Sequence, residues 1–428
     1  MSILGKATFR SLKGFNYRLF AGGALVSNIG TWLQRTAQDW IVLTQLTRNN
    51  ATAVGIVMAL QFGPMLLLLP WTGLAADRFD RRKLIIVTQA AQGLLALVLG
   101  ILTITGLVQL WHVYVFAFLL GCVAAFDTPA RQAFVSELVG EDDLANAVAL
   151  NSTSFNAARL VGPALAGLMI AAVGSGWVFV VNAISFVAVV ASLAFLRVHE
   201  LHREARTPAQ RGGLTEGFQY VLARPQLVVM FVMFFLIGTF GINFPIFIPT
   251  MSVTVFHLGA GEYGVLTSMV AIGTLGGALI AAREGKPGVG LLSLATACFG
   301  LGCCVAAAMP NYWLFGLVLV FVGASGQVFG TTTLSLVQLS TEPNMRGRVM
   351  AILLAIALGG TPLGGPIVGW VVDRFGPRAG LAVGGASAIL AALVGLYYLA
   401  RWQHWRLRVT AGRLHFARDG EPSTAAAE

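Results

Sequence analysis

Polar and charged side chains recur on one face of the first long apolar segment. Asn28, Trp32, Arg35 and Asp39 follow one another at spacings of four, three and four residues, which places them on one side of a helix, and Gln38 lies on the neighbouring strip. A charged residue at the centre of a membrane-spanning helix costs about 2.5–3.5 kcal/mol on insertion scales, and such residues usually have a functional role. The pattern therefore predicts a polar site inside a membrane.

The chemistry that this face favours is reversible protonation. A carboxylate held against an arginine is a poor proton acceptor, and it becomes a good one when the pair opens, whereas arginine stays protonated. Arg35 and Asp39 have the i, i+4 spacing that lets them pair. We therefore predict that Asp39 is protonated in one conformational state and paired with Arg35 in another. The alternative is a buried ion pair that only fixes helix packing.

Two later segments carry similar polar faces. Asp127 and Arg131 repeat the i, i+4 arrangement, and Asn156 and Arg159 form a third face. Asp127 is a second candidate for proton coupling, although its position near a helix end favours a gating or structural role equally. Together with Asn28, Trp32 and Gln38 of the first segment, Arg131, Asn156 and Arg159 are candidates to line a substrate cavity.

The second half of the chain offers mainly aromatic and amide side chains. Asn243 and Phe244 lie in a segment whose two prolines, Pro245 and Pro249, are expected to bend or break a helix. Its phenylalanines could line a pocket for an apolar or aromatic solute, or they could face lipid and neighbouring helices. Gln327 is a further cavity candidate. We predict no ionisable residue within a helix interior in this half.

The elements that position these residues are predicted from composition. Charged residues make up only 11% of the 428 residues and apolar ones 57%, whereas soluble domains carry about 25% charge. Runs of roughly 20 apolar residues can each span a bilayer as a helix. Twelve runs qualify, with approximate bounds 17–46, 52–75, 84–105, 111–136, 144–172, 176–198, 226–255, 262–282, 288–309, 312–336, 347–371 and 379–400.

The twelve runs form two halves. Residues 1–198 are predicted to be a six-helix bundle, 199–225 a polar cytoplasmic linker, 226–400 a second six-helix bundle, and 401–428 a cytoplasmic tail without regular structure. Placing both termini in the cytoplasm puts 22 of the 28 Lys and Arg residues on that side, as the positive-inside rule requires. An offset of 203 residues aligns Gly162-Pro163 with Gly365-Pro366, so we interpret both pairs as helix-packing motifs in related halves.

The loop after the second run carries the most specific motif, Gly73-Leu-Ala-Ala-Asp77-Arg78-Phe-Asp-Arg81-Arg82. It resembles the G-x-x-x-D-R-x-G-R-R signature of the major facilitator superfamily, with Asp80 where the signature prefers Gly. The segments 126–134, 146–152 and 159–167 are similar to the branch that holds the enterobactin exporter and related drug:proton antiporters.

The resemblance implies an all-α membrane protein of twelve helices in two pseudo-symmetric six-helix bundles, located in the inner (plasma) membrane. It also implies a secondary active transporter, specifically a proton-coupled exporter of a small amphipathic molecule such as a siderophore, drug or metabolite. In the family, the residue matching Asp77 contacts the cytoplasmic start of the eleventh helix, here near 346–349, and closes that side. The alternative for this loop is a topology signal only. For function, uptake, lipid translocation and a non-transporting receptor stay open.

The residues disfavour other classes of protein. No G-x-x-x-x-G-K-[ST] nucleotide loop, catalytic triad or metal-spaced cluster occurs, so we expect no enzyme, cofactor or metal. The basic residues lie in short clusters between apolar runs, which argues against nucleic acid as a partner. The expected partners are the lipid bilayer, protons and a small-molecule substrate, and we expect a monomer.

Overall fold

Long helices account for nearly all of the structure, a computed structural model that describes residues 9–202, 214–283 and 287–402 and the backbone of 405–410 and 413–418. The helices are α1 Phe15–Ile41, α2 Ala51–Leu67, α3 Arg81–Ile104, α4 Leu110–Leu138, α5 Glu141–Val173, α6 Ser175–Ala194, α7 beginning with Pro225–Leu236, α8 Ala260–Arg283, α9 Val289–Ala308, α10 Tyr312–Leu339, α11 Arg346–Phe375 and α12 Pro377–Trp402. Short helical segments are Arg10–Lys13, Val42–Leu46, Val198–Glu200 and a linker helix, Leu214–Leu222.

The predicted all-α membrane fold is confirmed. Ten helices of the described chain, α3 to α12, are long and apolar enough to cross a membrane. The other two predicted spans are helical as well. The helix α1 has 27 residues and carries the polar face. The helix α2 ends at Leu67 and continues as a second segment, Leu69–Arg78. The break lies between Pro64 and the proline in the first turn of the second segment. The break arises because proline cannot continue the backbone hydrogen-bond ladder.

The expected interruption of α7 is also present. After Pro225–Leu236 the helix widens over Ile237–Gly241, and new segments run over Phe244–Thr250 and Met251–Val255. Asn243 lies at the break, where its Nδ2 donates to the Thr239 carbonyl at 2.7 Å. This side-chain bond satisfies a carbonyl that an unbroken helix would have satisfied with a backbone N–H.

The tail differs from its prediction. Residues Trp405–Thr410 (β1) and Arg413–Arg418 (β2) pair as an antiparallel hairpin, with Trp405 opposite Arg418. The prediction of a tail without regular structure is therefore wrong for these residues. The missed signal is the alternation of apolar and basic residues in both strands, which is typical of β structure.

Packing divides the molecule into a closed side and an open side. The side that carries the α1–α2, α7–α8 and α11–α12 turns is called the loop side. The opposite side carries the linker and the tail and is called the terminus side. On the loop side one apolar core joins both halves, including Leu43, Val54, Phe247 and Phe315. On the terminus side each half has its own core, around Phe134 in the first half and around residues such as Phe329 in the second. The halves therefore meet on the loop side and separate towards the terminus side.

Candidate functional site

A cavity lies between the halves beneath the shared core. Its volume is about 230 Å³, and it opens to solvent. The lining residues, which come from both halves, are Trp32, Arg35, Thr36, Asp39, Met58, Gln61, Phe62, Arg159, Ile242, Phe244, Pro245, Ile248, Tyr263, Thr267, Val270 and Thr361. We call it the inner cavity. Five sequence-predicted residues meet there: Trp32, Arg35, Asp39, Arg159 and Phe244.

Two guanidinium groups lie over the Trp32 ring. The guanidinium carbon of Arg35 is 5.2 Å from the ring centroid and that of Arg159 is 5.7 Å from it. Arg35 also lies 5.7 Å from the Phe62 ring. Gly162 makes this arrangement fit, because a Cβ there would lie 2.5 Å from the Cβ of Trp32. The aromatic faces partly offset the cost of placing these cations away from water.

Asp39 lies at the end of the inner cavity nearest the loop side. The next residue, Trp40, stacks on Tyr263 of the other half with ring centroids 5.7 Å apart, and both belong to or pack against the shared core. Asp39 therefore lies directly beside a point where the halves close.

Of the two predicted i, i+4 pairs, only one is a direct ion pair in this conformation. Arg131 lies 3.7 Å from Asp127, whereas Arg35 turns onto the aromatic rings and its buried Nε has no hydrogen-bond partner. Arg35 and Asp39 share the cavity without an N–O contact within 4.0 Å. The pair predicted from spacing is thus open here.

Asp127 occupies a different environment. Its Oδ1 accepts a hydrogen bond from Thr88 Oγ1 at 2.6 Å, and Gln89 Nε2 donates to both carboxylate oxygens at 2.9 Å. Ser27 donates in turn to Gln89. This network ties α1, α3 and α4 together, so the contacts of Asp127 favour a structural role over proton exchange.

A second cavity lies further towards the terminus side, within the first half. Its lining residues include Asn28, Asp127, Arg131, Ser152 and Asn156. Arg131 Nη2 is 3.5 Å from Asn28 Oδ1. The predicted polar residues therefore separate into two groups along the path between the halves, with Asn28, Arg131 and Asn156 nearer the open side.

Three predicted cavity residues line neither of these cavities. Gln38 and Asn243 are 1% and 0% exposed, packed between helices, and each has a buried amide oxygen without a hydrogen-bond partner. Gln327 Nε2 donates to Thr331 on its own helix at 3.0 Å. The sequence pattern predicted which helix carries each of these residues, but not the direction in which each side chain points.

The α2–α3 loop fastens the first half on the terminus side. Arg81 Nη1 lies 2.9 Å from Glu137 Oε1 on α4, and Arg82 donates to the carbonyls of Leu193 and Ala194 at the end of α6 at 2.7 and 3.1 Å. Gly73 and Arg78 are exposed, and the Asp77 side chain lies outside the described part of the structure. The predicted contact of Asp77 with the start of α11 stays a prediction.

Both Gly-Pro pairs lie where the halves touch. Gly162 packs on Trp32, and the Pro163 carbonyl abuts Gly264 of α8. A Cβ on Gly55 of α2 would collide with the Gly365 carbonyl and lie 2.8 Å from the nitrogen of Pro366. Small residues allow such close backbone contact. The two copies of the predicted repeat thus occupy corresponding interfaces, α5–α8 and α11–α2.

The motif at the end of α11 closes the loop side. Asp373 Oδ1 accepts from the Ala51 backbone N–H at 2.6 Å, and its Oδ2 accepts from the Thr52 N–H at 2.9 Å and from Thr52 Oγ1 at 2.5 Å. These N–H groups open α2, so one half caps a helix of the other, which also favours the negative charge electrostatically. We call this contact the outer latch. The sequence shows a second Gly-x-x-x-Asp-Arg-Phe at residues 369–375, but not its partner.

Among the described residues no group of three His, Cys, Asp or Glu could hold a metal ion. The inner cavity offers two arginines, one carboxylate and apolar walls. These groups can bind a solute and exchange a proton.

Comparison with known proteins gives the family. The family model described as "transmembrane secretion effector" matches residues 7–417. The chain is 26% identical over 390 residues to the staphyloferrin A transporter of Staphylococcus aureus, covering 90% of this chain and 96% of the relative. It is 24% identical over 370 residues to the enterobactin exporter of Salmonella typhi, covering 85% and 88%.

Solved structures agree on the fold. A POT family transporter bound to a thioalcohol-conjugated peptide superimposes with a TM-score of 0.75 at 12% identity, covering 92% of this chain and 99% of that one. A D-xylose-proton symporter gives 0.66 at 15% identity, covering 92% and 97%. The protein is therefore a multi-pass membrane transporter and not an enzyme, and it belongs to the transmembrane secretion effector family of the major facilitator superfamily.

Proposed function

We propose that the protein is a proton-coupled exporter of a small amphipathic molecule, such as a siderophore, drug or metabolite, in the inner (plasma) membrane. The observation that carries the proposal is the inner cavity, where Asp39 shares an otherwise largely apolar space with two arginines directly beneath the closed side. Both named relatives handle siderophores, and one is an exporter.

Proton coupling is assigned to Asp39 because its surroundings change with conformation. In the state described here Arg35 stacks on Trp32 and Phe62 instead of pairing with Asp39. Opening of the loop side would separate Trp40 from Tyr263 and admit water next to the carboxylate. Exchange of Asp39 between a neutral form and an Arg35-paired form would then accompany the change of access.

Two carboxylates are proposed to hold the alternate states. The helices α2 and α11 lie side by side and antiparallel. The Leu69–Arg78 continuation of α2 and the end of α11 both carry the sequence Gly-x-x-x-Asp-Arg-Phe. Asp373 of α11 caps the start of α2 and holds the loop side closed. By the same geometry at the other end, Asp77 would cap the start of α11 when the terminus side closes. The linker helix now contacts that start through the Glu216–Arg348 ion pair.

The exporter among the relatives and the opening on the terminus side both support transport out of the cell. With both termini in the cytoplasm, the open side would admit substrate from inside the cell. Uptake and lipid translocation on the same fold are the alternatives, and transport assays with defined orientation separate them.

An efflux panel in a pump-deficient bacterial host tests the proposal. Cells expressing the protein are loaded with siderophores or fluorescent drugs, and efflux is followed with and without a proton uncoupler. We expect faster efflux of at least one compound, lost on uncoupling and lost in the Asp39→Asn variant. Net accumulation instead of efflux would overturn the exporter assignment, and efflux that persists with the uncoupler would overturn proton coupling.

A further inference from the structure

Neither arginine of the inner cavity forms a direct ion pair with a described residue, although the Asp39 carboxylate acts on Arg35 through space. Among the described residues neither Arg35 nor Arg159 has a carboxylate oxygen within 4.0 Å, although ion pairs form at other arginines such as Arg81 and Arg131. The buried Nε of Arg35 has no hydrogen-bond partner at all. A half-buried cation without a direct ion pair is costly, so both guanidinium groups can accept a further anionic contact.

The two guanidinium groups share one aromatic ring. Their carbons lie 5.2 and 5.7 Å from the centroid of Trp32, and the position of Trp32 is fixed by Gly162 and by the Phe155 ring, whose centroid is 5.8 Å away. A guanidinium presents a planar fork of N–H donors that matches a carboxylate in two-point contact. Held by stacking, both forks are oriented before any ligand arrives.

We propose that the inner cavity recognises its substrate by an anionic group, a carboxylate, bound by Arg35 and Arg159 beside Trp32, while the apolar body of the molecule lies against Phe62, Phe244 and Ile248. This inference rests on the proposed function, because it names the chemical class of the transported molecule. It assigns both arginines a substrate contact, which for Arg35 is in addition to its pairing with Asp39 in the proposed transport cycle.

The charges of the lining agree with an anion. Two guanidinium groups and one carboxylate leave the described lining with a net charge of +1 when Asp39 is ionised and +2 when it is protonated. The cavity therefore stays positive in both states, and an organic cation of the same shape is disfavoured. An inside-negative membrane potential also pulls an anion outwards, which supports export.

Binding of matched probes tests the inference. The purified full-length protein in lipid nanodiscs is titrated calorimetrically with 2-naphthylacetate, with its uncharged amide, and with 2-(2-naphthyl)ethylamine as the cation. We expect the carboxylate to bind about tenfold or more tightly than the amide, as charge-assisted hydrogen bonds predict, and the cation to bind most weakly. Arg159→Gln and Arg35→Gln should each weaken carboxylate binding far more than amide binding and so remove the preference.

Two controls keep the result interpretable. Arg48→Gln removes an exposed cation of the α1–α2 loop and should keep the preference. Arg159→Lys keeps the positive charge but lacks the planar fork of N–H donors, so this variant should keep only part of the preference for the carboxylate. Equal binding of carboxylate and amide, or preference for the cation, would overturn the anion inference while leaving proton-coupled efflux intact. Carboxylate preference without proton-coupled efflux would instead overturn the proposed function alone.

Discussion

At the scale of single residues, the inner cavity depends on how closely Trp32 and its neighbours pack. Arg35, Asp39 and Arg159 were recognisable from sequence, because charged residues inside apolar runs are conspicuous. Their partners were not, because the pairing of Arg35 depends on side-chain direction, and the structure turns it towards the rings of Trp32 and Phe62. Spacing along a helix fixes the face of a residue and leaves its rotamer open.

Gly162→Ala should disturb the cavity without any change of charge. The new Cβ would overlap Trp32, and overpacking of this kind costs roughly 1–3 kcal/mol. We expect a lower midpoint of thermal unfolding in detergent and transport reduced by tenfold or more. Gly276→Ala, where a Cβ meets nothing within 4 Å, is the matched control and should behave like the wild type. Normal transport by Gly162→Ala would show that the position of Trp32 is not critical.

At the scale of elements, the contact between α2 and α11 decides which side is closed. The sequence predicted both helices and the repeated Gly-Pro pair. It could not show that Asp373 caps a helix of the other half, since nothing in local spacing identifies a partner 322 residues away.

Asp373→Asn should open the outer latch. An amide presents only one acceptor oxygen and no charge, so the three hydrogen bonds to Ala51 and Thr52 cannot all persist. Spin labels at Leu107 and Trp313, exposed on the loop side in opposite halves, measure the result in a cysteine-free background. We expect the population with the longer distance to increase. An unchanged distance distribution would mean that the apolar core alone holds this side closed.

Substitutions at two glycines of α2 distinguish an effect on closure of the loop side from an effect on the stability of the helix. A Cβ on Gly55 would collide with the Gly365 carbonyl, whereas one on Gly63 meets nothing within 4 Å. Gly55→Ala should therefore favour the state open on the loop side, seen as the same lengthening of the spin-label distance. Gly63→Ala should leave the distance unchanged and stabilise the helix slightly, by about 0.5–1 kcal/mol. Equal behaviour of both variants would contradict the proposed close contact.

At the scale of the whole molecule, the two halves and their helices followed from hydropathy and the basic loops. The conformational state did not, because a sequence compatible with alternating access encodes more than one packing of the halves. The hairpin of the tail was not predicted, because the alternation of apolar and basic residues in its strands is short. Its many basic residues are also typical of a polar tail.

The proposed topology predicts one-sided labelling. Ser152, exposed on the terminus side, and Trp313, exposed on the loop side, are changed singly to cysteine after replacement of the four native cysteines. A membrane-impermeant maleimide added to intact cells should label Trp313→Cys and spare Ser152→Cys. Inside-out vesicles should give the reverse. Labelling of Ser152→Cys from outside would contradict cytoplasmic termini or the closed loop side.

The most direct test of the central claim is transport by the Asp39→Asn protein in liposomes under an imposed pH gradient. Wild-type protein should move the substrate identified by the efflux panel faster when the gradient is applied. Asp39→Asn should retain substrate binding and substrate exchange but lose the response to the gradient. Asp127→Asn changes a carboxylate held in a hydrogen-bond network, and whatever transport this variant retains should still respond to the gradient. If Asp39→Asn transport follows the gradient at the wild-type rate, Asp39 is not the coupling residue and the account is wrong.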